Sequence, residues 1–187
     1  MSPIRALAFD ACGTLFDVIS VTSLCEELFP GHGRALRLDL TLDARTRLMD
    51  AYLTLAPFPD VVPGSGALKL LGLKLAVLSN GTPRMLEAAV TSAGIANLLH
   101  AVISVENVQV FKPSPRVYQL AAEALKVGVD ARDIGFVSAN SWDVHGAGSA
   151  GLETFWIQRT AEEPEEELGH PATTIIRTLT EMPALII

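Results

Sequence analysis

The sequence is short of charge. Charged residues occupy 19% of its 187 positions, against roughly 25% in a typical globular chain. Only 14 of them are basic and 21 are acidic, a net charge of −7. That balance argues against a nucleic-acid partner, because affinity for a phosphate backbone comes from lysine and arginine. Long apolar runs are missing too. The best stretch, around Leu68–Leu78, is broken by Lys69 and Lys74 and falls short of the roughly 20 residues of a membrane-spanning helix. Cysteine is scarce: Cys12 and Cys25 form no CxxC and no ladder of pairs, which fits a reducing, cytoplasmic setting. The N-terminus reads as a strand ending in an acid, not as a secretory signal. No internal repeat or low-complexity tract appears, and Glu162–Glu167 reads as a solvated acidic loop. What is present is apolar mass, 49% of residues with a mean hydropathy of +0.35. That is too much for a disordered chain and enough for one core with a modest insertion.

Five short apolar segments read as strands: Ile4–Phe9, Leu73–Leu78, Ala101–Ser104, Ile134–Val137 and Thr154–Ile157. Helical patterns lie between them. Thr82-Pro83 offers an N-cap followed by proline at the first helical position, leading into Leu86, Ala89, Val90 and Ala93 on one face. Ser114-Pro115 repeats the device ahead of Val117, Leu120, Ala121, Ala124 and Leu125. Strands alternating with helices predict a doubly wound, Rossmann-like α/β fold with a parallel sheet. The segment Asp17–Pro63 breaks that rhythm. It holds two helical stretches, near Ser20–Phe29 and Asp43–Ala56, and Pro57, Pro59, Pro63, Gly64 and Gly66 mark the return to the core. The expected organisation is therefore a core of residues 1–16 and 63–187 with a small helical insertion at 17–62.

Polar residues gather where the strands end, which is where open α/β sheets bind ligands. Asp10 and Thr14 follow the first strand, Ser79 and Asn80 the second, Lys112 the third after a loop, and Ser138, Asn140 and Asp143 the fourth. Each has an ordinary reading by itself: Asp10 as a turn cap, Asn80-Gly81 as a turn dipeptide, Lys112 as an exposed loop charge. Four strand ends converging on one crevice favour a site. His145 is near the crevice but reads as a solvent-facing or first-turn histidine, and Cys25 reads as core.

These segments resemble the four motifs of the haloacid dehalogenase-like hydrolase superfamily. Phe9-Asp10-Ala11-Cys12-Gly13-Thr14-Leu15-Phe16-Asp17 looks like the first and Leu78-Ser79-Asn80-Gly81 like the second. Lys112-Pro113 resembles the third, and Ser138-Ala139-Asn140-Ser141-Trp142-Asp143 the fourth. Ser79-Asn80-Gly81, Lys112-Pro113 with Arg116-Val117-Tyr118, and Phe136-Val137-Ser138 with Asn140, Trp142 and Asp143 are closer to the L-2-haloacid dehalogenases than to the phosphatases. The likeness runs over residues 4–36 and 42–160. It implies that Asp10 attacks C2 of a small L-2-haloacid, expelling halide and leaving an ester. Lys112 would keep Asp10 ionised, and Asp143 would serve as base for the water that cleaves the ester. One inversion at C2 gives a D-2-hydroxy acid. Backbone N–H groups after Asp10 would hold the oxyanion. By the same resemblance Ser79 holds the substrate carboxylate and Asn80 lies near the departing halide. Thr14, Tyr118, Ser138 and Asn140 complete the polar shell, and Trp142 is an apolar wall.

The phosphatases of the superfamily carry an acid two residues past the nucleophile, to protonate a leaving alcohol, and they bind Mg²⁺. Here Cys12 stands at that place, a weak proton donor, and halide leaves without a proton. No metal or other cofactor is therefore expected. Cys12, with no histidine base, reads as a small residue bordering the substrate rather than a nucleophile. The insertion is shorter than the family's cap, which supplies an arginine to the substrate. Arg34, Arg37, Arg45 and Arg47 are present, but none matches its context. A weakly active or inactive binding protein, and a phosphatase of the same superfamily, are the alternative expectations. Relatives with a full cap often pair through it, so a homodimer also stands among the expected partners.

Overall fold

The computed structural model describes residues 4–30, 42–126, 131–160 and 172–186. Arg34, Arg37 and the loop Glu162–Glu167 lie outside them. Six strands form one sheet: β1 (Ala6–Phe9), β2 (Lys74–Ser79), β3 (Ala101–Ser104), β4 (Ile134–Ser138), β5 (Glu153–Ile157) and β6 (Thr174–Ile176). Their order is β3-β2-β1-β4-β5-β6, and all five pairings are parallel. The chain winds outward from β1 to β3, then returns to the other side of β1 with β4. That reversal opens a crevice beside the carboxyl end of β1. Five strands follow the sequence pattern within a residue or two. The sixth was not predicted, being a three-residue edge strand with too few positions to display a period.

Alternate strand residues bury against opposite layers. Leu7, Phe9, Leu75, Val77, Val137 and Phe155 share one core cluster with α3 (Val61–Leu70) and α4 (Pro83–Ser92). Ala6, Ala8, Ala76, Leu78 and Phe136 share the other with α5 (Pro115–Leu125) and α6 (Ser141–Ser149). Alanines on the second face let α5 lie close to the sheet, so Tyr118 reaches under the strand ends. Thr82 caps α4 as expected, its hydroxyl accepting from the Met85 amide at 3.3 Å. Ser114 makes no such bond at α5, so there proline at the first position does the work alone.

Helix α3 is a departure from expectation. Pro63, Gly64 and Gly66 read as a breaker cluster, but Pro63 falls in the first turn, where its missing N–H has no intrahelical partner to lose. Gly64 is required for packing: a Cβ there would stand 3.0 Å from three atoms of Leu179. The insertion consists of α1 (Ile19–Leu28), α2 (Leu42–Ala51) and a short 3₁₀ turn, Tyr52–Thr54. Its entry and exit run side by side. The Asp17 amide donates to Ala56 O at 2.9 Å, and the Phe58 amide donates to Leu15 O at 3.0 Å. A last short helix, α7 (Met182–Leu185), packs against α3. No helix among the described residues is long and apolar enough to cross a membrane.

Candidate active site

Strand β1 delivers Asp10 to the floor of the crevice, its amide held by Val137 O at 2.9 Å. The chain then turns sharply through Gly13 at φ +78°, a conformation that suits glycine. That turn brings Thr14 back, so that its hydroxyl donates to Asp10 Oδ2 at 3.0 Å and accepts from the Ala139 amide at 2.8 Å. Asn140, at the start of α6, donates from Nδ2 to the same Oδ2 at 3.1 Å. Lys112 reaches in from the loop after β3. Its ammonium lies 2.9 Å from Asp10 Oδ1 and 2.8 Å from Asp143 Oδ2, with the side chain 1% exposed. Asp143, fully buried, also accepts from Ser138 Oγ at 3.1 Å and from the Tyr118 hydroxyl at 2.7 Å.

Two carboxylates and one ammonium are thus packed out of water. Such a triad is tolerable only when most of the remaining lone pairs are also satisfied, and Thr14, Asn140, Ser138 and Tyr118 do this. Burial is the largest influence on Lys112 and pulls its pKa down. The charges and hydrogen bonds of Asp10 and Asp143 together outweigh it, so the ammonium is held above its ordinary value. Burial pushes the Asp143 carboxyl up, with Lys112 opposing and Asp10 adding. Burial and the Asp143 charge also raise Tyr118, which keeps its phenol a donor.

The predicted residues meet, though not all in their expected places. Tyr118 was expected to touch substrate. It is fully buried behind Asp143 instead, where it orients that carboxylate. Gly146 makes this possible, since a Cβ there would lie 2.6 Å from the Tyr118 hydroxyl. Ser79 is buried and its Oγ accepts from the Gly81 amide at 3.2 Å, which leaves its O–H to donate. Asn80 Oδ1 accepts from the Lys112 amide at 3.0 Å, tying the β2 loop to the lysine's backbone. Cys12 is exposed at the turn. Its thiol is pushed up to about 11, first by partial desolvation and then by the Asp10 charge. Trp142 lines a cavity of about 350 Å³ beside the cluster, with Asn140, Trp156, Phe58 and Gly13. His145 has a buried Nδ1 with no partner among the described residues and takes no part. Arg45 is exposed, and Arg47 pairs with Glu27 at 3.7 Å on the surface of the insertion. Neither arginine approaches Asp10.

Arg159 was missed. It follows β5, and its guanidinium donates to Thr14 O from Nε at 3.1 Å and from Nη2 at 2.6 Å. The strand-end rule that singled out the other four loops would have found it had it been extended to the fifth. A hard divalent cation is a poor fit for this donor set. The facing oxygens, Asp10 Oδ1 and Asp143 Oδ2, are both already bonded to the Lys112 ammonium, which occupies the space between them.

A family model for haloacid dehalogenase-like hydrolases matches residues 33–151. An (S)-2-haloacid dehalogenase of Pseudomonas sp. (strain YL) is 42% identical over 223 aligned positions, covering 97% of this chain and 95% of the relative. Since 223 exceeds the 187 residues here, the relative carries residues with no counterpart in this chain. A Pseudomonas putida enzyme of the same description is 35% identical, covering 97% of this chain and 96% of its own. Among solved structures, an L-2-haloacid dehalogenase superposes with a TM-score of 0.91 at 36% identity, over 99% of both chains. The Xanthobacter autotrophicus L-2-haloacid dehalogenase with chloropropionic acid covalently bound gives 0.86 at 29% identity, over 98% of both.

Proposed function

The chain belongs to the haloacid dehalogenase-like hydrolases, and on that footing we propose that it is an (S)-2-haloacid dehalogenase, cleaving a carbon–halogen bond to release halide and a D-2-hydroxy acid. The observation that carries this reading is the buried Lys112 ammonium bridging Asp10 and Asp143. It sets a positive charge against Asp10, with one oxygen shared among two donors and the other bonded to the lysine alone.

Asp10 Oδ1 accepts only from Lys112 among the described residues, so it keeps a lone pair for attack. It forms a bond to C2 as the carbon–halogen bond breaks, and the halide leaves with the electron pair. Oδ2 then becomes the ester carbonyl oxygen, already facing Thr14 Oγ1 and Asn140 Nδ2. Water adds to the carboxyl carbon and Asp143 takes its proton. The same two donors face the charge that develops on Oδ2. The amides of Gly13, Thr14, Leu15 and Phe16 are engaged with the carbonyls of Phe16 and Ala11. The backbone donors read from the sequence therefore narrow to Ala11 and Cys12. Collapse expels the hydroxy acid's oxygen, which receives the proton from Asp143; the Asp10 carboxyl then releases water's second proton to solvent, which regenerates the carboxylate. Ser79 and Asn80, at the end of β2, are the proposed contacts for the substrate carboxylate and the leaving halide. Cys12 and Trp142 border the organic part of the substrate.

Two unpaired cysteines support action in the cytoplasm, and the acidic balance supports a small-molecule substrate over nucleic acid or an anionic membrane. A homodimer remains part of the reading, through the insertion. The test is halide release from L- and D-2-chloropropionate without added metal. Release from the L form alone, lost by a factor of at least about 10⁴ in Asp10→Asn, is expected. Full activity in that variant would overturn the covalent route. Phosphate release dependent on Mg²⁺ in its place would assign the chain to the phosphatases.

A further inference from the structure

Thr14, one of the side chains on Asp10, depends on the turn from Ala11 to Phe16 keeping its shape. Thr14 is the pivot of that turn, because its hydroxyl links Asp10 to Ala139. Backbone bonds inside the turn fix its curl but do not fix it against the rest of the molecule. The carbonyl of Thr14 does, beside that of Leu15, which accepts from the Phe58 amide at 3.0 Å. Two N–H groups of Arg159 converge on the Thr14 oxygen. The opposite edge of the same guanidinium is engaged as well: Nη1 lies 2.7 and 2.8 Å from the two oxygens of Asp60, and the plane stacks over Phe58 at 4.2 Å. Asp60 in turn accepts from the Leu179 amide at 2.5 Å. The guanidinium and carboxylate are 10% and 13% exposed, so this is no loose surface pair.

The groups in this network come from three separate parts of the chain besides Arg159 itself. Thr14 lies after β1, Asp60 and Phe58 where the chain re-enters the core from the insertion, and Leu179 ahead of α7. We propose that Arg159, backed by Asp60, is a positioning residue for the reaction: it anchors the Thr14 carbonyl and so keeps the Thr14 hydroxyl and the neighbouring amides aimed at Asp10. The proposal rests on the reading of Asp10 as nucleophile. Arg159 touches no reacting atom itself. A planar fork is needed, since one donor edge must serve a carbonyl while the other serves a carboxylate. A lysine supplies a single point of charge and cannot do both.

The test compares Arg159→Lys, Arg159→Met and Asp60→Asn with the unaltered protein. A displacement of about 1 Å in a catalytic group can cost on the order of 100-fold. The kcat for halide release is therefore expected to fall about 10- to 100-fold in Arg159→Lys, with KM within about threefold. Thr14→Ala is the second arm. It should cost at least about tenfold in the unaltered protein and less than about threefold in the Arg159→Lys background, because the hydroxyl is then already misplaced. A third readout does not need turnover: the rate at which N-ethylmaleimide alkylates Cys12, in the same turn, with buried Cys25 as the internal control. Loosening the turn should raise that rate several-fold in Arg159→Lys and Asp60→Asn. Equal costs of Thr14→Ala in both backgrounds, or an unchanged Cys12 rate in all variants, would overturn the proposal and reduce Arg159 to a structural ion pair. If the unaltered protein releases no halide, the functional reading has failed, and the Cys12 rates alone decide the clamp.

Discussion

The sheet end and the helical insertion are built on opposite terms. All four residues of β1 are fully buried, and the side chains at its carboxyl end satisfy one another across four loops. The insertion offers two ten-residue helices whose buried residues, among those described, are Val21 and Cys25 in one and Ala44 and Leu48 in the other. Helices this short are marginal alone, so these depend on packing against each other and, through the Tyr52–Thr54 turn, against α4. The difference teaches where the chemistry can reside. A charge cluster needs a frame that cannot relax, and the sheet supplies it. The described residues of the insertion contribute none of the side-chain contacts on Asp10, which come from Thr14, Lys112 and Asn140.

The largest effect should come from breaking the frame's own charge balance. Lys112→Met leaves two buried carboxylates facing each other. Halide release should fall by at least about 10³-fold, and urea unfolding should register about 3–5 kcal/mol of lost stability. The lysine's pKa is raised above 10.5 in the folded protein. The stability it contributes is therefore complete below pH 10.5 and lost as pH rises through the higher folded value. The variant should lack that alkaline limb in a series of unfolding midpoints. Asp143 works in the same sense, but at acid pH. Its raised pKa means that stability is lost as pH climbs from 3.8 through its folded value. In the unaltered protein the acid limb of activity should accordingly lie above 3.8, and a limb at or below it would remove Asp143 as the base.

Next in size is a cavity under the cluster. Phe136 is fully buried and meets the Tyr118 ring edge-on, with centroids 5.4 Å apart. It also lies under the Lys112 ammonium at 5.0 Å. Phe136→Ala should cost about 3–5 kcal/mol, measured by urea unfolding, and lower kcat because Tyr118 and Lys112 lose their backing. The smallest effect should come from the insertion. Leu48→Ala should cost about 2 kcal/mol and leave kcat within about twofold. If it cost as much as Phe136→Ala, insertion and sheet would unfold as one unit and the contrast drawn above would collapse.

Much of this arrangement was legible in the sequence because it obeys local rules. The strands are apolar runs ending in polar residues, and the order of the motifs fixes which loops converge, so Asp10, Thr14, Lys112, Ser138, Asn140 and Asp143 could be named together. What escaped depends on contacts between distant segments. Tyr118 lies on the apolar stripe of α5, and only the close approach permitted by Gly146 decides that its hydroxyl meets Asp143 rather than the crevice. Arg159 and Asp60 are far apart in the chain and meet only in the fold. Helix α3 was hidden by Pro63 and two glycines, residues that suggest a break unless one knows that the proline falls in the first turn and Gly64 against Leu179.

Cys12 gains a different meaning from the chemistry beside it. A 2-halo acid is an alkylating agent, and a thiolate two residues from Asp10 would compete with the carboxylate for every molecule entering the crevice. Only the deprotonated sulfur is reactive. Raising the thiol from 9.0 to about 11 lowers the thiolate population at neutral pH by about a hundredfold. Partial desolvation does most of this and the Asp10 charge adds to it, so Asp10 helps keep its neighbour protonated. For the proposed dehalogenase, this slows alkylation of Cys12 by a 2-halo acid.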